Sequence, residues 1–332
     1  MIWPRLAGND KSTRKARGIV SLTGGLGNQL FQYAAAISFF GEDFEITSSL
    51  GKPRISEKKS PELFDFSLPC GISIKQKSPR INYLAEKSAG YVLRSSIYPS
   101  TLEKIKVINF ATNTLANVII SLHLRKPVRV KTERSGYAHE NKNYLFTKHL
   151  AIGYFQNYKY MQESNVRDLL LKLKPSEQSQ ELINLIDKAK KKNLLIVHVR
   201  RGDYKAEQFG ILEREYYENA INEAARENRF DEIWAYSDEP SSIMEVIPEA
   251  YKRITVLVDD SKLSSVEILE SMRYGTNYVI ANSTFSWWAA YLSYNRLAKV
   301  YAPEPWFINR DSHNNMYVQS WIRIYRNNKS AK

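Results

Sequence analysis

The sequence predicts an α/β protein, and three features of its second half lead to this prediction. Apolar runs at 194–199, 232–237, 254–258, 277–281 and 299–303 alternate with segments of helical spacing. Strands that alternate with helices are typical of a parallel, doubly wound sheet. The runs also lack the apolar–polar alternation of a half-exposed strand, as expected where helices cover both faces of the sheet.

Helices are predicted where apolar residues recur every three or four positions. In the second half these segments are 161–173, 179–192, 214–227, 264–275 and 283–293.

The first half opens with a short strand, 18–22, followed by three glycines and an apolar run that ends at Phe40. This order predicts a tight turn that leads into a helix. The run 117–124 fits either a buried strand or a helix segment. The stretch 51–110 has several prolines and little periodicity, so we expect irregular structure there.

The composition is that of a soluble globular protein, with 43% hydrophobic and 25% charged residues among 332. This length suits two domains, predicted at 18–160 and 161–332 after a basic arm at 1–17. No apolar run approaches the roughly eighteen residues of a membrane span, and the N-terminus lacks the apolar core of a signal peptide. With a single cysteine, Cys70, we expect a cytoplasmic protein.

The net charge of +13 predicts an anionic partner. Nucleic acid, an anionic membrane face and a phosphorylated small molecule all qualify, and charge alone leaves the three open. The five histidines are scattered along the chain, so no metal site is predicted.

Two motifs follow predicted strands, where ligands of parallel sheets bind. In HVRRGDY (198–204), Arg200 and Arg201 carry planar guanidinium groups that suit bidentate binding of phosphate. In NSTFS (282–286), a strand turns into a helix whose free N–H groups and dipole favour an anion. Two such devices at one sheet edge indicate a diphosphate.

A structural interpretation of both motifs is the alternative. Arg200 and Asp203 can form an ion pair, while Ser283 and Thr284 can simply cap a helix. Either motif alone fits both interpretations equally well, but their occurrence together favours ligand binding.

Four motifs resemble, in order and spacing, those of the family 11 glycosyltransferases, the α-1,2-fucosyltransferases. They are GGLGNQLFQYA (24–34), GYFQNYKYM (153–161), HVRRGDY (198–204) and NSTFSWWAAYL (282–292). The resemblance implies the GT-B architecture, in which two Rossmann-like domains face each other and the C-terminal one binds the nucleotide. It also implies GDP-fucose as donor, inversion at the anomeric carbon, and neither a metal nor a further cofactor.

The resemblance also implies donor-binding residues. Arg200 is similar to the essential arginine at the β-phosphate, with His198 and Arg201 as its neighbours. Asn28 matches an asparagine that reaches the sugar-phosphate, and its alternative role is to cap the helix. The glycines before it, Gly24, Gly25 and Gly27, would let the backbone approach a ligand or would only shape the turn. The loop around the diphosphate and the base or ribose comprises Asn282, Ser283, Thr284, Phe285 and Ser286.

Carboxylates are candidates for two further roles. Glu267 would read guanine, although Ser264 and Glu267 also have the spacing of a capping box. Asp238, at a strand end, has the same two interpretations. The base that takes the proton of the acceptor hydroxyl is either Asp203, which can instead orient the arginines, or Glu207, which we favour.

The resemblance implies transfer of L-fucose from GDP-fucose to the 2-hydroxyl of a terminal β-galactoside. The setting would be bacterial surface polysaccharide (O-antigen or lipopolysaccharide) synthesis, with peripheral contact between the basic surface and an anionic membrane. The nearest alternative is a fucosyltransferase of another linkage, α-1,6 on chitin-like oligosaccharides. A non-catalytic nucleotide-sugar sensor is more distant, as is a nucleic-acid-binding protein, because the aromatic-rich motifs lie at helix starts instead of lining a basic face.

Overall fold

The structure is a computed structural model that describes residues 18–68, 73–75, 83–97, 106–124, 128–131, 148–162, 165–202, 210–307 and 314–326. The predicted basic arm, 1–17, lies outside these ranges. The described residues form two compact units. The first takes its residues from 1–23, 32–53 and 68–155, and the second takes its residues from 24–31, 54–67 and 156–332.

The first unit contains a five-stranded parallel sheet. Its strands are β1 (Gly18–Ser21), β2 (Phe44–Thr47), β3 (Ser73–Lys75), β4 (Val128–Lys131) and β5 (Lys148–Ala151). Their order is β3-β2-β1-β5-β4, and every neighbouring pair is parallel. The predicted strand at 18–22 is therefore the central one.

Three helices begin in the first half of the chain, namely α1 (Leu26–Phe40), α2 (Tyr83–Ile97) and α3 (Lys106–Leu124). The boundary between the units falls within α1. In α2, Ala85, Ala89 and Val92 recur at helical spacing and are buried. The expectation of irregular structure across 51–110 is therefore wrong over 83–97 and 106–110. The prolines that suggested it lie outside both helices, where they interrupt no helical hydrogen bond.

The second unit contains a six-stranded parallel sheet. Its strands are β6 (Leu194–Val199), β7 (Glu232–Ser237), β8 (Thr255–Leu257), β9 (Asn277–Val279), β10 (Lys299–Glu304) and β11 (Ile322–Tyr325). Their order is β11-β10-β9-β6-β7-β8. The predicted α/β class is confirmed, since both units have parallel sheets. The five predicted strands are β6 to β10, and β11 was not predicted.

The helices of the second unit confirm the five predicted helical segments. They are α4 (Val166–Leu171), α5 (Gln180–Ala189), α6 (Arg214–Glu227), the short α7 (Ile243–Val246), α8 (Ser265–Met272) and α9 (Thr284–Tyr291). The buried face of α6 packs on Leu195, Val197 and Ile233 of the sheet. Within the described residues, no helix combines the length and the apolar character that a membrane crossing requires.

Arg273 ties together the ends of three helices. Its fully buried guanidinium donates to the carbonyls of Leu171, Leu173 and Leu292 at 3.0, 2.8 and 2.9 Å. Its Nη1 also lies 2.8 Å from the buried carboxylate of Glu270. Because carbonyls at helix ends lack partners within the helix, this one side chain satisfies groups at the ends of α4 and α9 from the end of α8.

We expect Arg273→Gln to lower the free energy of unfolding by about 3 kcal/mol, because it leaves the Glu270 carboxylate buried without this partner. Arg226→Gln is the control, since Arg226 is 76% exposed where it pairs with Glu223, and its loss should cost less than about 1 kcal/mol. Urea unfolding followed by circular dichroism measures both. Equal effects of the two substitutions would contradict the central role of Arg273.

Candidate functional site

The carboxyl end of β6 carries two arginines that share one carboxylate. Nη1 of Arg200 lies 3.2 Å from Oδ2 of Asp238, and the backbone N–H of Arg201 donates to Oδ1 at 2.9 Å. A Cβ at Gly202 would stand 2.4 Å from the same carboxylate, so the glycine of the motif leaves room for it. The side chains of Arg200 and Asp238 are 20% and 22% exposed, which leaves both accessible to a ligand.

His198, two residues before Arg200, is buried beneath this pair and only 5% exposed. Its ring lies 6.1 Å from that of Phe285, centroid to centroid, and its Nδ1 has no hydrogen-bond partner among the described residues. Burial, and then the charge of Arg200, lowers the pKa of His198 to about 3. The imidazole is therefore neutral near pH 7.

The first turn of α9 follows β9, the other neighbour of β6. Ser283 is its N-cap, and Oγ accepts a hydrogen bond from the N–H of Phe285 at 3.3 Å. The Ser286 hydroxyl is fully buried and donates to the carbonyl of Ser283 at 3.2 Å. Thr284 and Phe285 are half-buried and remain accessible. The buried Asn282 donates from its side-chain amide to the carbonyl of Gly210 at 3.1 Å.

Gly27 brings the start of α1 into backbone contact with the start of α9. A Cβ at this position would lie 2.5 Å from Oγ1 of Thr284 and 2.7 Å from the nitrogen of Phe285. The indole N–H of Trp288 donates to the Gly27 carbonyl at 2.9 Å, and Phe31 packs on the Trp288 ring at 4.8 Å. The positive ends of two helix dipoles therefore lie side by side.

Asn28 lies inside the first turn of α1, which begins at Leu26, and not at its N-cap. Its Oδ1 accepts hydrogen bonds from Gln156 at 2.9 Å and from Thr284 at 3.3 Å. No acceptor among the described residues contacts its Nδ2. Gln156 lies in the motif GYFQNYKYM (153–161), but no role for it was predicted.

Glu62 holds the start of α1 and was not predicted. Its buried carboxylate accepts a hydrogen bond from the N–H of Leu26 at 2.7 Å and another from the hydroxyl of Ser265 at 2.7 Å. It begins a short 3-10 helix, Glu62–Asp65, and belongs to none of the sequence motifs, so no periodicity or motif could have indicated it.

Glu267 forms the predicted capping box with Ser264. Its Oε1 also accepts the N–H of Ser179 at 2.7 Å. Burial works to raise the pKa of Glu267, but the hydrogen bonds from Ser179 and Ser264 outweigh it and hold this pKa below its ordinary value. Beside the box lies a groove of about 730 Å³, lined by 55–58, 176–179 and 261–267 together with Glu62 and Asp65.

Two predicted residues cannot be placed. Asp203 and Glu207, the candidate bases, lie in 203–209, outside the described residues. Within the described ranges there is no group of three or more His, Cys, Asp or Glu side chains that could hold a metal ion.

Comparison with known proteins gives a family match. Residues 104–325, more than half of the chain, match the family model for Glycosyl transferase family 11. The match includes the β6 and α9 motifs and stops short of the glycine turn at 24–27.

Two relatives come from Escherichia coli. The O-antigen biosynthesis glycosyltransferase WbnK is 25% identical over 91% of this chain and 99% of its own length. An alpha-1,2-colitosyltransferase is 24% identical over 92% of this chain and 98% of its own length. Among solved structures, fucosyltransferase NodZ from Bradyrhizobium is 12% identical with a TM-score of 0.46, covering 83% of this chain and 92% of that one.

The burial of His198 predicts a pH effect on stability. The folded protein keeps the imidazole neutral down to about pH 3, whereas the unfolded chain protonates it below its ordinary pKa of 6.5. Between these values the unfolded state binds more protons, so the free energy of unfolding falls as the pH falls through 6.5. From pH 7 to pH 5 this contribution is ~2 kcal/mol.

Urea unfolding of the wild type and of His198→Gln at pH 7, 6 and 5 measures this contribution. The variant should lose ~2 kcal/mol less than the wild type between pH 7 and pH 5, whatever its stability at pH 7. Parallel losses in the two proteins would show that His198 is not the group responsible.

Proposed function

The chain belongs to glycosyltransferase family 11, and from this premise we propose that it transfers L-fucose from GDP-fucose to the 2-hydroxyl of a terminal β-galactoside. One observation carries the proposal. Within one compact unit, two arginines at the end of β6 follow His198, whose ring lies 6.1 Å from that of Phe285 in the first turn of α9, and this turn contacts the start of α1 through Gly27. This concentration of positive charge suits a diphosphate.

Arg200 would stabilise the leaving group. Direct displacement of GDP builds negative charge on its β-phosphate, and a donor fixed beforehand at that point lowers the barrier most. Asp238 fixes the position of this donor, because its carboxylate pairs with Nη1 of Arg200 and accepts a hydrogen bond from the backbone N–H of Arg201. The accessible part of the Arg200 side chain would bind the phosphate, so the leaving group needs no metal in this proposal.

Backbone and side-chain donors at the helix starts would complete the diphosphate site. Thr284 and Phe285 lie in the accessible first turn of α9, with Gly25 and Gly27 at the opposing turn of α1. We place Nδ2 of Asn28 against the sugar or its phosphate, since Gln156 and Thr284 orient its amide. His198 is neutral and buried, so it would help to hold the nucleotide indirectly, through its neighbours Arg200 and Phe285.

We place the guanosine in the groove beside Glu267. Its volume of about 730 Å³ lies within the range of small-ligand sites, roughly 300–1,000 Å³. Because the hydrogen bonds to Ser179 and Ser264 occupy the Glu267 carboxylate, it would shape this groove more than it reads the base.

The acceptor hydroxyl must lose its proton as it attacks, which calls for a carboxylate in the cleft. Asp203 and Glu207 are the candidates, and Glu207 is the one we favour. Asp238 is the less suitable base because Arg200 and Arg201 already engage both of its oxygens.

The name of one relative supports a role in O-antigen synthesis. We place this role at the cytoplasmic face of a membrane, where the basic surface would meet anionic lipid. The relatives also favour a second donor. Since one relative is a colitosyltransferase with the α-1,2 linkage, GDP-colitose, which lacks the 3-hydroxyl of fucose, is the alternative sugar nucleotide. A site that hydrogen-bonds the 3-hydroxyl would reject the deoxy analogue strongly.

The experiment is to incubate the protein with lactose and either GDP-fucose or GDP-colitose, with and without EDTA, and to map the product linkage by NMR. We expect an α-1,2-fucosylated product whose rate EDTA does not change. An α-1,6 product, a colitosylated product alone, or nucleotide binding without transfer would each replace this proposal with one of its rivals.

Arg200→Ala should lower kcat by roughly 10²- to 10³-fold, the cost of losing one donor to a developing anion. It should stay folded, because the ion pair it breaks is partly exposed. Turnover of GDP-fucose and thermal unfolding measure the two effects. Arg200→Lys keeps the positive charge but loses the planar guanidinium, so its kcat should lie between those of the wild type and Arg200→Ala. More than a tenth of wild-type activity in Arg200→Ala would refute the assignment.

A further inference from the structure

Arg54 lies outside every motif, yet its backbone is held against the glycine turn before α1. Its N–H donates to the carbonyl of Gly24 at 2.7 Å. Its carbonyl accepts from the N–H of Glu62 at 3.2 Å and from the side-chain amide of Gln29 at 3.1 Å. The position of the Arg54 main chain beside this turn is therefore fixed.

The guanidinium of Arg54 lies over Gly25. A Cβ on Gly25 would stand 3.5 Å from Cζ of Arg54 and 3.6 Å from its Nη1, at van der Waals distance. The absence of a side chain at position 25 thus leaves one face of the turn to the guanidinium. Arg54 itself is exposed to solvent.

No carboxylate among the described residues neutralises this guanidinium. The backbone N–H of Glu62 donates to the Arg54 carbonyl. The carboxylate of Glu62, however, is occupied, because Leu26 and Ser265 donate hydrogen bonds to its two oxygens. Arg200, in contrast, has Asp238. A cation beside the positive end of a helix dipole is unfavourable by itself and becomes favourable when an anion joins the two.

The main chain leads from Arg54 directly into the wall of the groove. The two residues that follow it, Ile55 and Ser56, form part of the groove wall. A ligand held in the groove with a negatively charged group at one end would therefore have Arg54 as an adjoining cation.

We propose that Arg54 binds the diphosphate of the sugar-nucleotide donor from the α1 turn, as a cation additional to Arg200. This inference rests on the proposed function and assigns a donor-binding residue that the sequence motifs do not contain. Because Arg54 is exposed and no carboxylate of the described residues fixes it, it would hold the donor equally in the ground state and the transition state. Its loss should raise the KM for the donor and leave kcat nearly unchanged.

The test compares Arg54→Gln and Arg54→Lys with Arg253→Gln, which removes another exposed arginine of the same unit. Isothermal titration calorimetry gives the affinities for GDP and for guanosine, and steady-state kinetics gives KM and kcat. We expect Arg54→Gln to weaken GDP binding roughly tenfold to hundredfold, as for a lost hydrogen bond to a charged group. Guanosine affinity should not change, Arg54→Lys should recover part of the GDP affinity, and Arg253→Gln should behave as the wild type.

Two results for Arg54→Gln would overturn the inference. An equal loss of GDP and guanosine affinity would show that the role of Arg54 is structural, and an unchanged GDP affinity would show that Arg54 has no role in donor binding. Failure of the wild type to bind GDP would refute the proposed function instead. In that case, titration with inorganic pyrophosphate tests whether Arg54 binds an anion. Weaker pyrophosphate binding in Arg54→Gln supports the anion-binding role, and unchanged binding refutes it.

Discussion

The direct backbone contact between Gly27 and the first turn of α9 is the constraint on which the site depends. No other residue fits, because a Cβ at position 27 would overlap Thr284 and Phe285. The indole of Trp288 locks the contact through the Gly27 carbonyl, and Phe31 fills the space against Trp288. The packing energy of these aromatic groups thus holds together two positive helix ends that repel each other, a cost that a bound anion would offset.

Two carboxylates organise the positive groups around this contact without cancelling all of them. Glu62 accepts the N–H of Leu26 and so anchors the start of α1, while Asp238 aligns Arg200 with the backbone of Arg201. The hydrogen bonds and the ion pair at these two carboxylates fix the positions of donor groups. In the proposed reaction, donors fixed in this way would not need to reorient as charge develops on the leaving group.

The sequence predicted the second unit well, since its strands are uninterrupted apolar runs and its helices begin with recognisable caps, as at Ser264 and Ser283. It failed over α2, where the prolines of the surrounding segment hid the stripe formed by Ala85, Ala89 and Val92. Arg200 and Thr284 could be predicted because each follows a strand of one parallel sheet. Glu62 and Arg54 could not, because their contacts join a segment outside the motifs to residues far away in the chain; Glu62 and Ser265 have a sequence separation of 203.

The division of the chain explains why these distant contacts matter. Residues 24–31 and 54–67 belong to the same compact unit as the six-stranded sheet, although they come from the first fifth of the sequence. That unit therefore contains Gly27, Asn28, Arg54 and Glu62 together with Arg200. A fragment that began at the last boundary, Gln156, would keep the arginines of β6 and the α9 helix but lose the opposing turn. The proposed anion site therefore draws on two separate segments of the N-terminal part of the chain, 24–31 and 54–67.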